Sequence, residues 1–238
     1  MSSPGIVLIL GAGPRIGAAI AERFSSIGYK VALASRTGGS KAANKTPSNT
    51  NTNTLSLTAD FSQPSTIPSI FTTIKETFSS PPNVIIYNAG SLTPPAVKDD
   101  PLSVPAEDVQ KDFLVNVVTP YVAAHEATKA WEELGGDVKK TFIYTGNITN
   151  VAIVPMPMMV DVGMGKAAAA YWIGMADAAH RGKGYRFHYA DERHADGRLK
   201  GQDVDGEAHA EFYEQLAAHE GDVPWHATFV KGKGYVKF

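Results

Sequence analysis

Two close glycines, Gly11 and Gly13, with Gly17 four residues beyond, end the apolar run Val7-Leu8-Ile9-Leu10 and open a helical pattern. Residue types in that order suit the binding of an anion. Glycines at 11 and 13 let the backbone turn sharply and approach a ligand, while Gly17 lets the new helix sit close to the strand. Pro14 fits the first helical turn, where its missing N–H is no loss. Free N–H groups and the positive end of the helix dipole then face an anion, and a dinucleotide diphosphate is the usual one. A plain strand-to-helix turn is the alternative reading of such a pattern taken alone.

Other residues point the same way. Arg36 directly follows the strand pattern Tyr29 to Ser35, where the adenosine ribose sits in dinucleotide folds. No acidic residue is beside it to take a free 2′-hydroxyl, and Ser35, Arg36, Thr37 and Lys41 are placed to surround a 2′-phosphate, which favours NADP over NAD. A solvated arginine at a strand end is the plainer alternative. Asp60, ending the short strand of Leu55, Leu57 and Ala59, suits either the adenine amino group or the capping of the next turn. The buried strand Val84-Ile85-Ile86-Tyr87 runs into Asn88-Ala89-Gly90, small residues over which a loop passes close to a ligand. Asn116 lies within an apolar helical face; a buried amide needs partners, so it braces a loop or orders water. His188, Asp191 and His194 are near enough in sequence to suggest a metal, but they straddle a strand end and a polar loop, so exposed or lid histidines are expected instead.

The elements that must position these residues alternate along the chain. Helical patterns at Ala18 to Phe24, Ile67 to Phe78, Gly165 to His180 and Glu207 to His219 separate strand patterns, including Thr141 to Thr145, Tyr185 to Tyr189 and Ala227 to Val230. A long helical pattern, Ala106 to Leu134, has Phe113, Val117, Val118, Tyr121 and His125 as inner positions, and Pro120 kinks or interrupts it. The segment Val151 to Val160, with Pro155 and Pro157, suits neither a regular helix nor a central strand and is expected to line a pocket. These patterns give the fold class α/β, a single Rossmann-type doubly wound parallel sheet with helices on both faces, in one domain over 1–238. Gly38 to Thr54, rich in Thr, Asn, Ser and Gly, reads as a flexible loop, and 190–206 reads as a candidate substrate lid.

Totals set outer limits. The 238 residues are 43% hydrophobic and 19% charged, with a formal net charge of -2 and no cysteine. Such a balance gives no basic field for nucleic acid, and no disulfide, thiolate metal site or cysteine nucleophile. No apolar stretch is long enough to cross a membrane, and Ile6 to Leu10 is too short for a signal-peptide core. A cytoplasmic location is expected.

In this order the landmarks make the chain resemble the short-chain dehydrogenase/reductase superfamily over nearly its whole length. Those landmarks are the turn Gly11 to Gly17, Asn88-Ala89-Gly90, Asn116 in the long helix and Lys166 opening the helix after the fifth strand. The resemblance implies an NAD(P)-binding fold in which Gly11, Gly13, Arg15, Ile16, Gly17, Asn88, Ala89, Gly90 and Lys166 hold cofactor. It also implies a helix-to-helix homodimer or homotetramer through the segments around Asn116 and Lys166, and a small-molecule substrate. Three departures matter. Arg15 stands at the middle glycine of the usual GxxxGxG turn, where it is itself able to meet a phosphate. Val162 stands four residues before Lys166, where the family has its catalytic tyrosine. Tyr189-Ala190-Asp191 replaces the usual Pro-Gly after the sixth strand. The family serine falls at or near Thr145, Asn147 or Thr149.

With no tyrosine acid, Lys166 still suits ribose binding and the stabilisation of a developing oxyanion. The proton source stays open between Asp161, a poor acid at neutral pH unless burial raises it, and water held by Asn116 and Lys166. An iminium substrate needs no proton donor. The expected function is therefore NADP(H)-dependent hydride transfer to a small carbonyl or iminium compound. The alternatives are an NADP-binding regulatory module without turnover and a non-redox isomerase or cyclase on the same fold.

Overall fold

The computed structural model describes residues 5–38 and 53–238. Lys41 and most of the segment Gly38 to Thr54 lie outside the described residues. Strands β1 (Ile6–Leu10), β2 (Lys30–Ser35), β3 (Thr54–Thr58), β4 (Val84–Tyr87), β5 (Lys140–Thr145), β6 (Tyr185–Glu192), β7 (His226–Val230) and β8 (Gly234–Tyr235) form one sheet in the order β3-β2-β1-β4-β5-β6-β7-β8. All neighbouring pairs are parallel except β7 with β8. Strands buried on both faces require continuous apolar runs, and Ile6 to Leu10 and Val84 to Tyr87 are buried throughout.

Alternation along β1 shares its side chains between two cores. Ile6, Leu8 and Leu10 pack with helices α2 (Ile67–Phe78), α4 (Thr119–Trp131) and α5 (Val160–His180). Val7 and Ile9 pack on the other face with α1 (Ile16–Ser26) and α6 (Gly206–Ala217). This is the doubly wound arrangement expected, and its strand order reverses between β1 and β4, where α/β folds bind ligands at the carboxyl ends of their strands.

The long helical pattern divides into α3 (Ala106–Phe113), a turn of π-helix over Leu114–Val118, and α4. The wider π turn shifts the helical phase, so the expected inner face does not continue past Asn116. Val118, Tyr121 and His125 are exposed, Phe113 and Val117 are half-buried, and Asp112, Asn116, Thr119, Ala123, Ala127 and Trp131 point inward instead. Helix α5 starts at Val160, so Lys166 belongs to its second turn and does not open it. Strand β6 runs past Tyr189 because pairing with β7 continues to Glu192 and Phe229. The candidate lid therefore begins at Arg193 and is a braced hairpin: His194 N–H donates to Arg198 O, and Arg193 bonds Asp191 and Gly197 O.

Candidate active site

The turn after β1 is held from both neighbouring strands. Gly11 and Ala12 donate their N–H groups to Ala34 O at the end of β2, and the Asn88 side-chain amide donates to Gly11 O at 3.0 Å. Gly11 has φ +101, and a Cβ there would stand 2.4 Å from the Ala89 nitrogen. A Cβ at Gly17 would stand 2.9 Å from Ala12 Cα, so α1 sits hard against the strand end. Gly13 has nothing within 4 Å of the same position and faces open space. Helix α1 has no side-chain cap and no acidic residue in its first turn, which leaves its positive end uncompensated.

Around this turn the sequence candidates divide. Arg36 and Thr37 are exposed at the end of β2, with Thr37 N–H donating to Ser35 Oγ at 3.3 Å. Asp60 caps its own turn by accepting from Ser62 N–H and Oγ–H at 2.9 and 2.8 Å, and these donors hold its carboxyl below the usual range. Arg15 reaches across to the segment before α6, its Nη1 donating to Gln202 O at 3.1 Å, while Ile16 is half-buried at the start of α1.

Asn116 braces a loop. Its Oδ1 accepts from Ser91 N–H at 3.0 Å and its Nδ2 donates to Ser91 O at 2.8 Å, which clamps the chain directly after Asn88-Ala89-Gly90. Its backbone oxygen accepts from Tyr144 Oη at 2.9 Å. Helix α5 crosses the π turn at Gly165, where a Cβ would lie 2.7 Å from Asn116 Cβ. The next residue, Lys166, donates from Nζ to Thr145 O at 2.8 Å and lies 4.4 Å from the centre of the Tyr144 ring. Burial lowers its ammonium pKa to about 7, against the opposing pull of Asp191. Val162 is buried one helical turn before it.

Of the three residues left open after β5, only Thr149 lines the large apolar cavity. Thr145 turns its hydroxyl to the other layer, where it accepts from Tyr213 Oη at 2.9 Å. Asn147 Oδ1 accepts from Thr149 N–H and Oγ–H, and Tyr189 Oη pins the Asn147 backbone. The cavity, about 540 Å³, lies between Thr149 to Val160 and the α5 residues Gly163, Met164 and Ala167, so the proline-interrupted run does line a pocket. Asp161 is wholly buried and faces away from this cavity, and burial raises its carboxyl to about 6.

Sequence reasoning missed the tyrosine row. Tyr87, Tyr144 and Tyr189 stand in register on β4, β5 and β6 and stack at 5.7 and 5.6 Å. Tyr87 and Tyr144 stand at the carboxyl ends of β4 and β5, and Tyr189 continues the row within β6, a register that aligning the strands exposes. The histidine expectation also needs correction: His188 is buried in β6 with Nδ1 3.1 Å from Pro224 O, because its strand runs through the sheet interior. No group of metal-ligating residues forms among the described residues, and no helix among them is long and apolar enough to cross a membrane.

Known proteins share both the sequence pattern and the fold. Residues 5–153 match the sequence profile described as short chain dehydrogenase. A protein of Cryptosporiopsis sp. (strain 8999), named short chain dehydrogenase/reductase dmxR12, is 38% identical over 248 residues, covering 100% of this chain and 96% of its own. A short-chain dehydrogenase/reductase from Brucella ovis, in complex with a partially ordered NAD, superposes with a TM-score of 0.73 at 20% identity over 96% of this chain and 99% of that one. A metagenomic short-chain oxidoreductase in complex with NADP gives 0.73 at 17% identity over 95% and 96%.

Proposed function

We propose that this chain, which belongs to the short-chain dehydrogenase/reductase family, binds NADP(H) and acts as an oxidoreductase on an apolar carbonyl or iminium compound. The observation that carries the reading is Lys166, a buried ammonium at the carboxyl ends of β5 and β6, beside the loop that Asn116 clamps. The residues suit the cofactor: Gly13 leaves open space at the groove, and the start of α1 is free of any acidic residue that would repel a diphosphate. Ser35, Arg36 and Thr37 would meet the 2′-phosphate, Asp60 the adenine, Asn88 to Gly90 the underside of the dinucleotide, and Lys166 the ribose hydroxyls. When bound, the nicotinamide supplies the hydride.

Val162 offers no proton. Lys166 does, since an ammonium titrating near 7 is matched to proton transfer at neutral pH and also stabilises a developing oxyanion. Asp161 is committed to backbone N–H groups and is a poor candidate for reaching substrate. An iminium ion arrives positive and asks for no acid, so the same site suits both substrates. The cavity of about 540 Å³, lined by Pro155, Met156, Met159 and Met164, favours an apolar substrate of drug-like size. Exposed Tyr121, Tyr171 and Met175 on α4 and α5 favour a homodimer through those helices.

Fluorescence titration with NADPH and NADH tests the cofactor. NADPH is expected to bind more tightly, and Arg36→Ala to reduce that preference by roughly tenfold or more, as loss of a charged hydrogen bond does; equal affinities in the native protein would sink the reading. Val162→Tyr is expected to preserve or raise the rate of NADPH oxidation with apolar ketones. A strong loss would mean that the valine makes room for substrate. Cofactor binding with no turnover on any ketone, imine or alcohol would instead favour a binding module.

A further inference from the structure

Beside the clamped loop lies a second device, built from carboxyls. Asp112, in the last turn of α3, and Asp161, in the first turn of α5, are 1% and 0% exposed. Asp112 Oδ1 accepts the Ser91 hydroxyl. Asp161 Oδ2 accepts Thr93 N–H at 2.9 Å and its Oδ1 accepts Val162 N–H at 2.6 Å. The two carboxyls are within hydrogen-bonding reach of each other, Thr93 faces Asp112 as well, and Asp112 Oδ2 is buried without a well-aligned hydrogen bond. Two facing carboxylate oxygens have no attraction for one another, and only a proton between them satisfies both.

Neighbouring charges do not provide another answer. The segment packed on the pair, Ser91-Leu92-Thr93-Pro94-Pro95, has no titratable side chain, and the π turn contributes the neutral amide of Asn116. Glu107, Asp108 and Lys111 on α3 and Lys98, Asp99 and Asp100 in the preceding segment make no ion pair with either carboxyl; on α5, Lys166 is turned to Thr145. Among the described residues no lysine, arginine or histidine pairs with Asp112 or Asp161.

We propose that Asp112 and Asp161 share one proton and act as positioning residues, the protonated pair fastening Ser91 to Thr93, and with them the Asn88-Ala89-Gly90 loop, to the start of α5. When that proton leaves, two buried negative charges repel across the joint that shapes the cofactor groove. Burial first, and then Asp112, raises the Asp161 carboxyl to about 6 from its ordinary 3.8. The folded chain thus keeps on Asp161 a proton that the unfolded chain has already lost, so that residue's contribution is full below about 4 and is lost as pH rises through about 6, while the hydrogen bonds to Asp112 hold its carboxyl below the usual range. The consequence for cofactor rests on the NADP(H) reading; the shared proton does not.

Asp112→Asn separates the two. An asparagine still accepts from Ser91 and donates an N–H to Asp161, so it keeps the joint bonded without a titrating proton. In thermal unfolding of the full chain, the native midpoint measured relative to the variant's should fall as pH rises from 5 to 8.5. Asp191 titrates near 6 and Lys166 near 7 in both proteins, so the difference between the two proteins is what is read. NADPH should bind the native chain about fivefold more weakly at pH 8 than at pH 6, a coupling in the usual range, and bind the variant with much less pH dependence. Asp161→Asn takes the variant's place if Asp112→Asn fails to fold. Parallel unfolding curves in native and variant overturn the shared proton, and a native NADPH affinity that is flat with pH overturns its positioning role. Failure of NADPH to bind at any pH, with the difference in unfolding curves intact, overturns the cofactor reading while upholding the pair.

Discussion

Lys166→Met is expected to cut NADPH-dependent turnover by roughly 10²–10³-fold, the loss that follows removal of one preorganised charge at a reacting oxygen. Methionine keeps an unbranched side chain over the Tyr144 ring and removes only the charge and the hydrogen bond to Thr145 O. The same substitution is expected to leave the protein folded. A buried ammonium costs free energy, and its pKa is lowered to about 7 because burial penalises the charged form. Unfolded, the lysine binds a proton up to about 10.4, so between about 7 and 10.4 the unfolded chain holds more protons and native stability rises with pH. Lys166→Met should abolish that rise. Rate measurements on apolar ketones, set beside unfolding midpoints from pH 7 to 10, check both halves. An unchanged rate in a folded variant would remove Lys166 from the chemistry and favour the iminium or non-redox readings.

How far the sequence led is visible residue by residue. The glycine turn and the strands around it were legible because apolar runs and turn residues report local backbone demands directly. Asn116 was legible as a buried amide in need of partners, though not whether it braces a loop or orders water. The helix beyond Asn116 was not legible: a π turn adds a residue to the helical repeat, and periodicity carried past it assigns Tyr121 and His125 to the wrong face. Asp112 hides for a related reason. In Ala106-Glu107-Asp108-Val109-Gln110-Lys111-Asp112 it reads as part of a solvated face, and only the crossing of α3 and α5 reveals a carboxyl partner. Choosing among Thr145, Asn147 and Thr149 depended on the direction in which each side chain leaves the turn, a property of the assembled layers. The burial that decides Asp161's acidity comes from the loop after β4 folding over it, a contact distant in sequence.

Gly11→Ala is the other large effect, and comparison with Gly13 separates folding from binding. At Gly11 the backbone adopts φ +101, and a Cβ would meet Ala89 N, Asn88 C and Ala89 Cα at 2.4, 2.7 and 2.8 Å. These are backbone atoms fixed by the bonds of Asn88 and Ala89 N–H to Leu10 O, so they have no rotamer by which to yield. Strain at a left-handed residue costs about 1–3 kcal/mol and overpacking about 1–3 kcal/mol more. Against a total stability of about 5–15 kcal/mol, that is a midpoint lowered on the order of 10 °C. Gly13 has no positive φ and no atom within 4 Å of a Cβ, so Gly13→Ala should unfold near the native midpoint. Its methyl enters the open groove and should weaken NADPH several-fold. A Gly13→Ala variant that binds NADPH as the native protein does would mean that the dinucleotide backbone does not pass over this turn, whatever the thermal behaviour of Gly11→Ala.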